Sequence, residues 1–374
     1  MRRLKLTPRR DWQEQVEKLG LIFHTAQGET YWDEAVCYQF EASEIDELES
    51  STAELQRLCL EAAQFVIDRD RFEEFGIPHA VRALIREDWE REPPSIYGRF
   101  DLAYDGTSPP KLLEYNANTP TALLEASVVQ WYWRQEVFPA TDQFNSIHEK
   151  LMAKWSELKK YLKDATVHFT SMPAEEDLIT ITYLRDTAEQ AGIHTRQLAV
   201  REIGWNEATQ TFRDVEDKPI RTLFSLYPWE WLLADFAEPI LRTYGRMDWI
   251  EPIWKMLWSN KALLAILWEL FPGHPNLLPA YLDSPRELCE YVSKPLLSRE
   301  GANITVHLRN EDVSTQGPYS GPFVYQQFAG KKRFDGQLPV IGSWYITDQG
   351  PAGIGIREAP LITRNFSHFV PHYF

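Results

Sequence analysis

The sequence predicts a mixed α and β protein of several parts, with a compact α/β unit in the middle of the chain. Three observations carry that expectation. A length of 374 residues sets a prior of about two to three domains and supplies enough chain for a sizeable core. Apolar residues recur at helical intervals in the first third. A hairpin signal at 97–116, a β-α-β pattern from about Val167 and short strands with Gly and Pro turns from Tyr291 supply the β part.

Taken in order, Leu55, Leu58, Ala62 and Phe65 fall at helical spacing inside an acidic amphipathic helix expected to end near Gly76-Ile77-Pro78. Residues 97–116, YGRFDLAYDGTSPPKLLEYN, place two apolar-rich runs around Asp105-Gly106 and a proline pair, which predicts a hairpin. Asn118-Thr119-Pro120 then reads as a helix start, with Thr119 as N-cap and Pro120 at the first helical position. From Val167 the pattern becomes β-α-β: VHFTS, then DLITITYLRDTAEQAG with a helical second half, then HTRQLAV and TLFSLYP. This places an α/β unit at 166–253, between a first part at 1–165 and a last part at 254–374. A helical piece, Ile253 to Phe271, opens the last part. Its tail, from Tyr291, alternates short strands with Gly and Pro turns, as an antiparallel sheet does.

Composition excludes several classes. Lys and Arg number 39 against 55 Asp and Glu, a net charge of −16, and broad nucleic-acid binding rests on basic groups neutralising phosphates. A 44% hydrophobic content excludes a disordered chain. The 14 Trp, 16 Tyr and 19 Phe are by default core residues. Cys37, Cys59 and Cys289 are odd in number and widely spaced, so a disulfide framework or a CxxC metal site is not expected and a reducing cytoplasm fits best. The basic N-terminus has no apolar stretch behind it, and no run approaches the ~18 apolar residues of a spanning helix. A soluble cytoplasmic protein without a membrane partner is expected.

The hairpin holds the most informative constellation. If Asp105 to Pro110 form the connection, Tyr104 faces Lys111, Asp101 faces Glu114 and Arg99 faces Asn116, and all four of the latter project from one face. Like charges opposed across a strand pair are destabilising. A hard divalent cation such as Mg²⁺ would offset them, since it takes carboxylate and amide oxygens together with water and phosphate oxygens, and Arg99 would then hold a transferred phosphate. The hairpin alone leaves open a solvated face on which Arg99 screens two acids.

A second constellation joins Lys261 to residues 294–304, where Lys294 closes a short strand and Arg299 to Asn303 form a small-residue loop. Such a turn lays backbone N–H groups over phosphates while a strand lysine reaches their oxygens, although a strand-end lysine is more often simply at the surface. Neither GxxxxGK[ST] nor GxGxxG occurs, which leaves P-loop and Rossmann sites unsupported. His368 and His372 have Pro371 between them and no cysteine nearby, a poor zinc site, and no GxSxG elbow is present. Glu175-Glu176, in an expected loop after Pro173, are by default solvated acids.

Together these stretches resemble the synthetase half of glutathionylspermidine synthase, a ligase of circularly permuted ATP-grasp fold, from about Trp12 to the C-terminus. The anchors are Arg99-Phe100-Asp101, Glu114-Tyr115-Asn116, Lys261, Lys294 to Gly301, and Gly355-Ile356-Arg357-Glu358 with SHFVPH. The resemblance implies an ATP-grasp fold with an inserted α/β pre-ATP-grasp domain, here 166–253. It implies two Mg²⁺ ions on Asp101, Glu114 and Asn116, with Arg99 at the transferred phosphate. Lys261 and Lys294 would bind ATP phosphates under the loop of Arg299 and Gly301, with Gln326 and Gln327 beside the adenine. Arg357 would bind the acyl phosphate or the acid, Thr119 glutathione, and Glu175 and Glu176 a polyamine.

The reaction implied is ATP-dependent amide formation between a small-molecule acid and an amine; a homodimer is left open. Little sequence precedes the matching region, so the amidase activity of bifunctional relatives is not expected. Ser225-Leu226-Tyr227-Pro228-Trp229 departs from the Lys-Thr the family is expected to carry there, which leaves the substrate pair open. Two other classes compete. A catalytically weak ATP-binding regulatory protein is disfavoured by the intact Arg99, Asp101, Glu114 and Asn116 set, and a glycosidase built on Asp101 and Glu114 needs neither the Arg nor the Asn.

Overall fold

The computed structural model describes residues 1–26, 28–330, 332–364 and 367–374. Helix α1 (Ala42–Asp68) starts at a capping box in which the Glu44 carboxylate accepts the Glu41 backbone N–H at 2.8 Å. Leu55, Leu58 and Ala62 are fully buried on its core face, as their spacing predicts. The helix ends earlier than expected. Asp70 turns left-handed at φ 55°, and a 3₁₀ turn over Arg71–Phe75 carries the chain on to Gly76.

Strands β1 (Tyr97–Ala103) and β2 (Lys111–Asn116) form the hairpin, with Asp101 opposite Glu114 and Arg99 opposite Asn116. The route to that register differs from the simple count. Ala103, not Tyr104, faces Lys111, and Leu102 faces Leu112; a bulge at Leu113 then restores the pairing. Without the extra residue, Asp101 would lie opposite Leu113 and the acids would sit on opposite faces.

Thr119 and Pro120 do not begin a helix. The Pro120 carbonyl accepts the Tyr97 hydroxyl at 3.1 Å and the Thr121 carbonyl accepts Arg99 Nη1 at 2.8 Å, so side chains of β1 take the acceptors a helix ladder would use. Ala122 turns at φ 62°, and helical structure follows as a π-helical stretch (Glu125–Val129) and an α-helix (Gln130–Val137).

Next come β3 (Thr166–Ser171), α2 (Glu175–Gln190), β4 (His194–Ala199), β5 (Thr222–Leu226), α3 (Trp229–Thr243) and β6 (Asp248–Ile250). The four strands form a parallel sheet in the order β6-β5-β3-β4. Helix α2 begins at Glu175, so the run read as half strand is helical throughout; burial of Ile181, Leu184 and Ala188 at helical spacing outweighs the β preference of its Ile and Thr residues. Glu175 and Glu176 therefore lie in the first turn of a helix and not in a loop.

The last third adds α4 (Ala262–Leu270) and an antiparallel sheet of β7 (Ala280–Tyr281), β8 (Tyr291–Pro295), β9 (Thr305–His307), β10 (Asp312–Ser314) and β11 (Phe323–Gln327), ordered β7-β11-β8-β9-β10. Strands β12 (Leu338–Ile346), β13 (Gly350–Ala359) and β14 (His368–Val370) return to the hairpin and complete a second antiparallel sheet, β14-β13-β12-β1-β2. One face of it packs on α1. Thr52 and Ser343 hydroxyls meet at 2.6 Å, Tyr115 donates to Gln56 at 2.9 Å, and the Phe100 and Tyr115 rings stack 3.8 Å apart.

A buried ion pair, Glu251 with Lys255, ties the end of the parallel unit to the start of β1. The Glu251 carboxylate accepts the Ile96 and Tyr97 backbone N–H groups at 2.9 and 3.2 Å, and Lys255 donates to the Tyr97 carbonyl at 2.8 Å. Surrounding donors and acceptors of this kind are what make a buried pair tolerable. Among the described residues no helix is long and apolar enough to cross a membrane.

Gly98 has no room for a side chain, because an ideal Cβ there would sit 2.6 Å from the Tyr115 ring. Gly98→Ala is expected to lower unfolding free energy by about 1–3 kcal/mol. Urea denaturation measures it, and an unchanged midpoint would mean that the Tyr115 ring is free to shift.

Candidate active site

Side-chain alternation sends Phe100 and Tyr115 toward α1 and Arg99, Asp101, Glu114 and Asn116 to the opposite face. Arg99 grips Asp101 in a two-point contact, Nε to Oδ1 at 2.6 Å and Nη2 to Oδ2 at 3.0 Å, with its guanidinium 5.7 Å from the Trp344 ring. Gly342 lies opposite Asp101 on β12, and an ideal Cβ there would be 2.9 Å from Arg99 Cδ. The sequence reading missed this residue, although a glycine inside a strand-like run signals a close approach.

On the other side, Lys261 Nζ lies 3.2 Å from Glu114 Oε2 and also donates to the Ser298 carbonyl. Lys294 Nζ donates to the Leu113 carbonyl at 2.9 Å and to Gln326 Oε1 at 2.8 Å. The bulge that aligns the acids thus also offers Lys294 its acceptor. Asn116 Nδ2 donates weakly to both carboxylates, to Glu114 at 3.3 Å and Asp101 at 3.4 Å.

These environments push the two acids apart. Burial raises Asp101, and Arg99 offsets this only in part while Glu114 adds to the rise. Burial acts on Glu114 in the same sense, but Lys261 and Lys294 outweigh it and hold that carboxyl well below its ordinary value.

The four side chains border a cavity of about 250 Å³ between the two antiparallel sheets and the parallel unit. Lys261, Lys294, Arg299 and Gly301 line it, as does Thr119. Gly301 has φ 69° and no space for a Cβ against the Thr363 carbonyl. Arg357 on β13 pairs with Val340, which pairs with Ala103, so it shares the face of Asp101; its guanidinium donates to the Arg364 carbonyl. Gln326 and Gln327 both border the cavity, but neighbouring strand positions point to opposite faces and it is Gln326 that contacts Lys294.

Glu175 is the exception. It is exposed and outside the cavity, because the earlier start of α2 sets a phase that brings Glu176 and Asp177 to the lining instead. Thr121 donates its hydroxyl to Glu176 Oε1 at 2.5 Å. Asp177 is raised to about 7, mainly by burial and then by Glu176 and Glu300. The acidic run was visible in the sequence; its helical phase was not.

Asp101, Glu114 and an amide oxygen from Asn116 are the hard donors that Mg²⁺ prefers. Among the described residues no group of three or more His, Cys, Asp or Glu side chains gathers around a common point. Two carboxylates and one amide are too few for a closed protein cage and suit an ion that shares its shell with phosphate oxygens. His368 and His372 have separate partners, the Thr30 carbonyl and Gln130 Oε1.

A solved glutathione synthetase-like effector from Globodera pallida, in its apo form, has the same fold, with a TM-score of 0.61 over 97% of this chain and 95% of that one at 10% identity. The molecule is an ATP-grasp-type, ATP-dependent ligase that forms carbon–nitrogen bonds between an acid and an amine. It belongs to the glutathionylspermidine synthase preATP-grasp family, whose pattern matches residues 3–374. A Haemophilus influenzae protein named “Putative acid--amine ligase” is 42% identical over the full length of both chains. The bifunctional glutathionylspermidine synthetase/amidase of Escherichia coli is 26% identical over 87% of this chain and 57% of its own. The trypanothione synthetase of Crithidia fasciculata is 28% identical over 79% of this chain and 50% of its own, so the chain spans a little over half, or half, of these two longer relatives.

Because folding raises Asp177 above its unfolded value near 4, the stability it contributes is full below that value and is lost as pH rises through about 7. Asp177→Asn is therefore expected to raise the melting temperature at pH 8 but not at pH 4. Equal shifts at both would place the effect in packing rather than charge.

Proposed function

We propose that the chain phosphorylates a substrate carboxylate with ATP and then transfers the acyl group to an amine. The γ-phosphoryl group moves to a carboxylate oxygen and ADP leaves. The amine nitrogen attacks the acyl carbon, the C–O bond to phosphate breaks, and an amide, phosphate and a proton are released. The observation that carries this reading is the convergence of Arg99, Lys261, Lys294, Arg299 and Arg357 on one cavity together with the opposed Asp101 and Glu114. A transfer of this kind needs charge stabilisation and alignment more than covalent help from the protein.

In this reading Lys261 and Lys294 bind ATP phosphates beneath the Arg299–Gly301 loop, and Gln326 and Gln327 border the base. Arg99 holds the transferred phosphate, and Arg357 the acid or its acyl phosphate. Asp101, Glu114 and Asn116 would hold Mg²⁺, two ions by analogy with the family, whose chemistry is to neutralise the charge of the triphosphate. The Asn116 amide offers its oxygen only when its nitrogen leaves the carboxylates.

In the same reading, residues 166–253 are the inserted unit between an ATP-grasp part with the metal-binding hairpin at 1–165 and the nucleotide-binding part at 254–374. Glutathione or a related peptide is the proposed acid, near Thr119, and a polyamine or other amine the nucleophile. Glu176 and Asp177 supply the negative end that a cationic amine needs, with Asp177 taking the place first given to Glu175.

Phosphate release with Mg-ATP, scanned across acids and amines, tests the proposal. No stimulating pair, together with an Asp101→Ala protein that behaves as wild type, would end it. Glu114→Ala is expected to reduce turnover by about 10²–10³ or more. Its melting temperature is expected to fall only modestly, because the change relieves a like-charge pair but also takes a carboxylate from Lys261; a large loss of stability in the absence of Mg²⁺ would make Glu114 structural. Lys294→Met is expected to weaken Mg-ATP binding in a calorimetric titration, and unchanged affinity would remove Lys294 from the nucleotide site.

A further inference from the structure

Arg299 sits in the segment between β8 and β9, where Glu300, Gly301 and Asn303 all adopt left-handed backbone conformations at φ 55°, 69° and 54°. Non-glycine residues persist in that region only where their surroundings hold them. Part of the hold is local: Lys261 donates to the Ser298 carbonyl, and Asn303 Oδ1 accepts the Tyr319 N–H at 2.8 Å. The remainder comes from α3 of the parallel unit. Arg299 Nη2 lies 2.6 Å from Glu230 Oε1, and its guanidinium carbon is 5.3 Å from the centre of the Trp231 ring.

Trp231 and the helix start that carries Glu230 are braced from behind. Trp231 meets Tyr227 edge-on at 5.4 Å, and the Tyr227 hydroxyl donates to Asp235 Oδ2 at 3.0 Å. The helix start is pinned by Trp229, whose indole N–H donates to the Glu251 carbonyl at 3.0 Å and whose backbone N–H reaches Asn118 Oδ1 at 3.3 Å. Arg299 borders the main cavity, and also a neighbouring one of about 110 Å³ that Glu230, Leu297 and Asn260 help to line. The guanidinium therefore has somewhere to withdraw to if its anchor is removed.

From this arrangement we propose that Glu230 and Trp231 dock the Arg299 loop onto the parallel unit, with Glu230 the positioning residue that keeps the Arg299 guanidinium at the phosphate end of the cavity. The proposal rests on the ligase reading above and adds a physical link between the unit bearing Glu176 and Asp177 and the loop that covers the nucleotide. The two side chains are 23% and 22% exposed, a partly screened pair that contributes little to global stability and much to the placement of one side chain.

A double-mutant cycle tests the dock on the full chain: wild type, Glu230→Gln, Arg299→Gln and the double variant, each titrated calorimetrically with Mg-ATP and melted. Glu230→Gln is expected to weaken Mg-ATP binding about tenfold with an unchanged melting temperature, and to have no further effect once Arg299 is Gln. Glu230→Asp should recover part of the loss, as a purely structural role would not require. Additive effects in the cycle, or a Glu230→Gln protein that binds Mg-ATP as well as or better than wild type, would overturn the dock alone. A wild type that binds no Mg-ATP would remove the ligase reading and the dock together.

Discussion

Asp101 and Glu114 face each other across two antiparallel strands, and the repulsion between them organises the side chains around them. Arg99 answers one acid with a two-point contact and Lys261 the other with a single one, while the Asn116 amide bridges the pair. The carboxylates do not share the burden equally: Asp101 is pushed up and Glu114 held down, the pattern expected when two close acids titrate as a pair. Such an arrangement needs a rigid back. Helix α1 supplies it through the Thr52–Ser343 and Gln56–Tyr115 contacts, and the Phe100–Tyr115 stack locks the two strands together on that side.

Much of this was legible in the sequence because a strand has a period of two and leaves little choice of face. The residues that escaped did so for identifiable reasons. The count that paired Asp101 with Glu114 reached the right register through two offsetting differences, since the connection is longer than supposed and Leu113 bulges out to compensate. A bulge has no clear mark in a run such as KLLEYN. Thr119-Pro120 has the chemistry of a helix start, yet Tyr97 and Arg99, some twenty residues earlier in the chain, take the carbonyls that the helix would need. The acids of 175–177 were visible, but which of them faces inward depends on where α2 begins, and burial of its Ile181–Leu184–Ala188 face decides that. Glu230 and Trp231 gave no local signal, because their role depends on Arg299, nearly seventy residues away.

Within a chain of net charge −16, the cavity gathers Arg99, Lys261, Lys294, Arg299 and Arg357 beside Asp101, Glu114, Glu176 and Asp177. The basic groups that line the cavity come from β1, the turn before α4, β8 with the loop that follows it, and β13, four stretches far apart in sequence. In the proposed reading the basic groups of this mixed field would take a triphosphate, and Glu176 and Asp177 a cation.

The sheet that carries the site joins β1 to β12, although well over two hundred residues separate them. A ribosome adding roughly 5–20 residues per second leaves β1 without its second neighbour for about 10 s or more. Through that interval the hairpin is an open template to which another extended chain can add. Arg99 and Asp101 stand on that strand, and charged side chains on an unpaired strand disfavour the addition of a foreign apolar one.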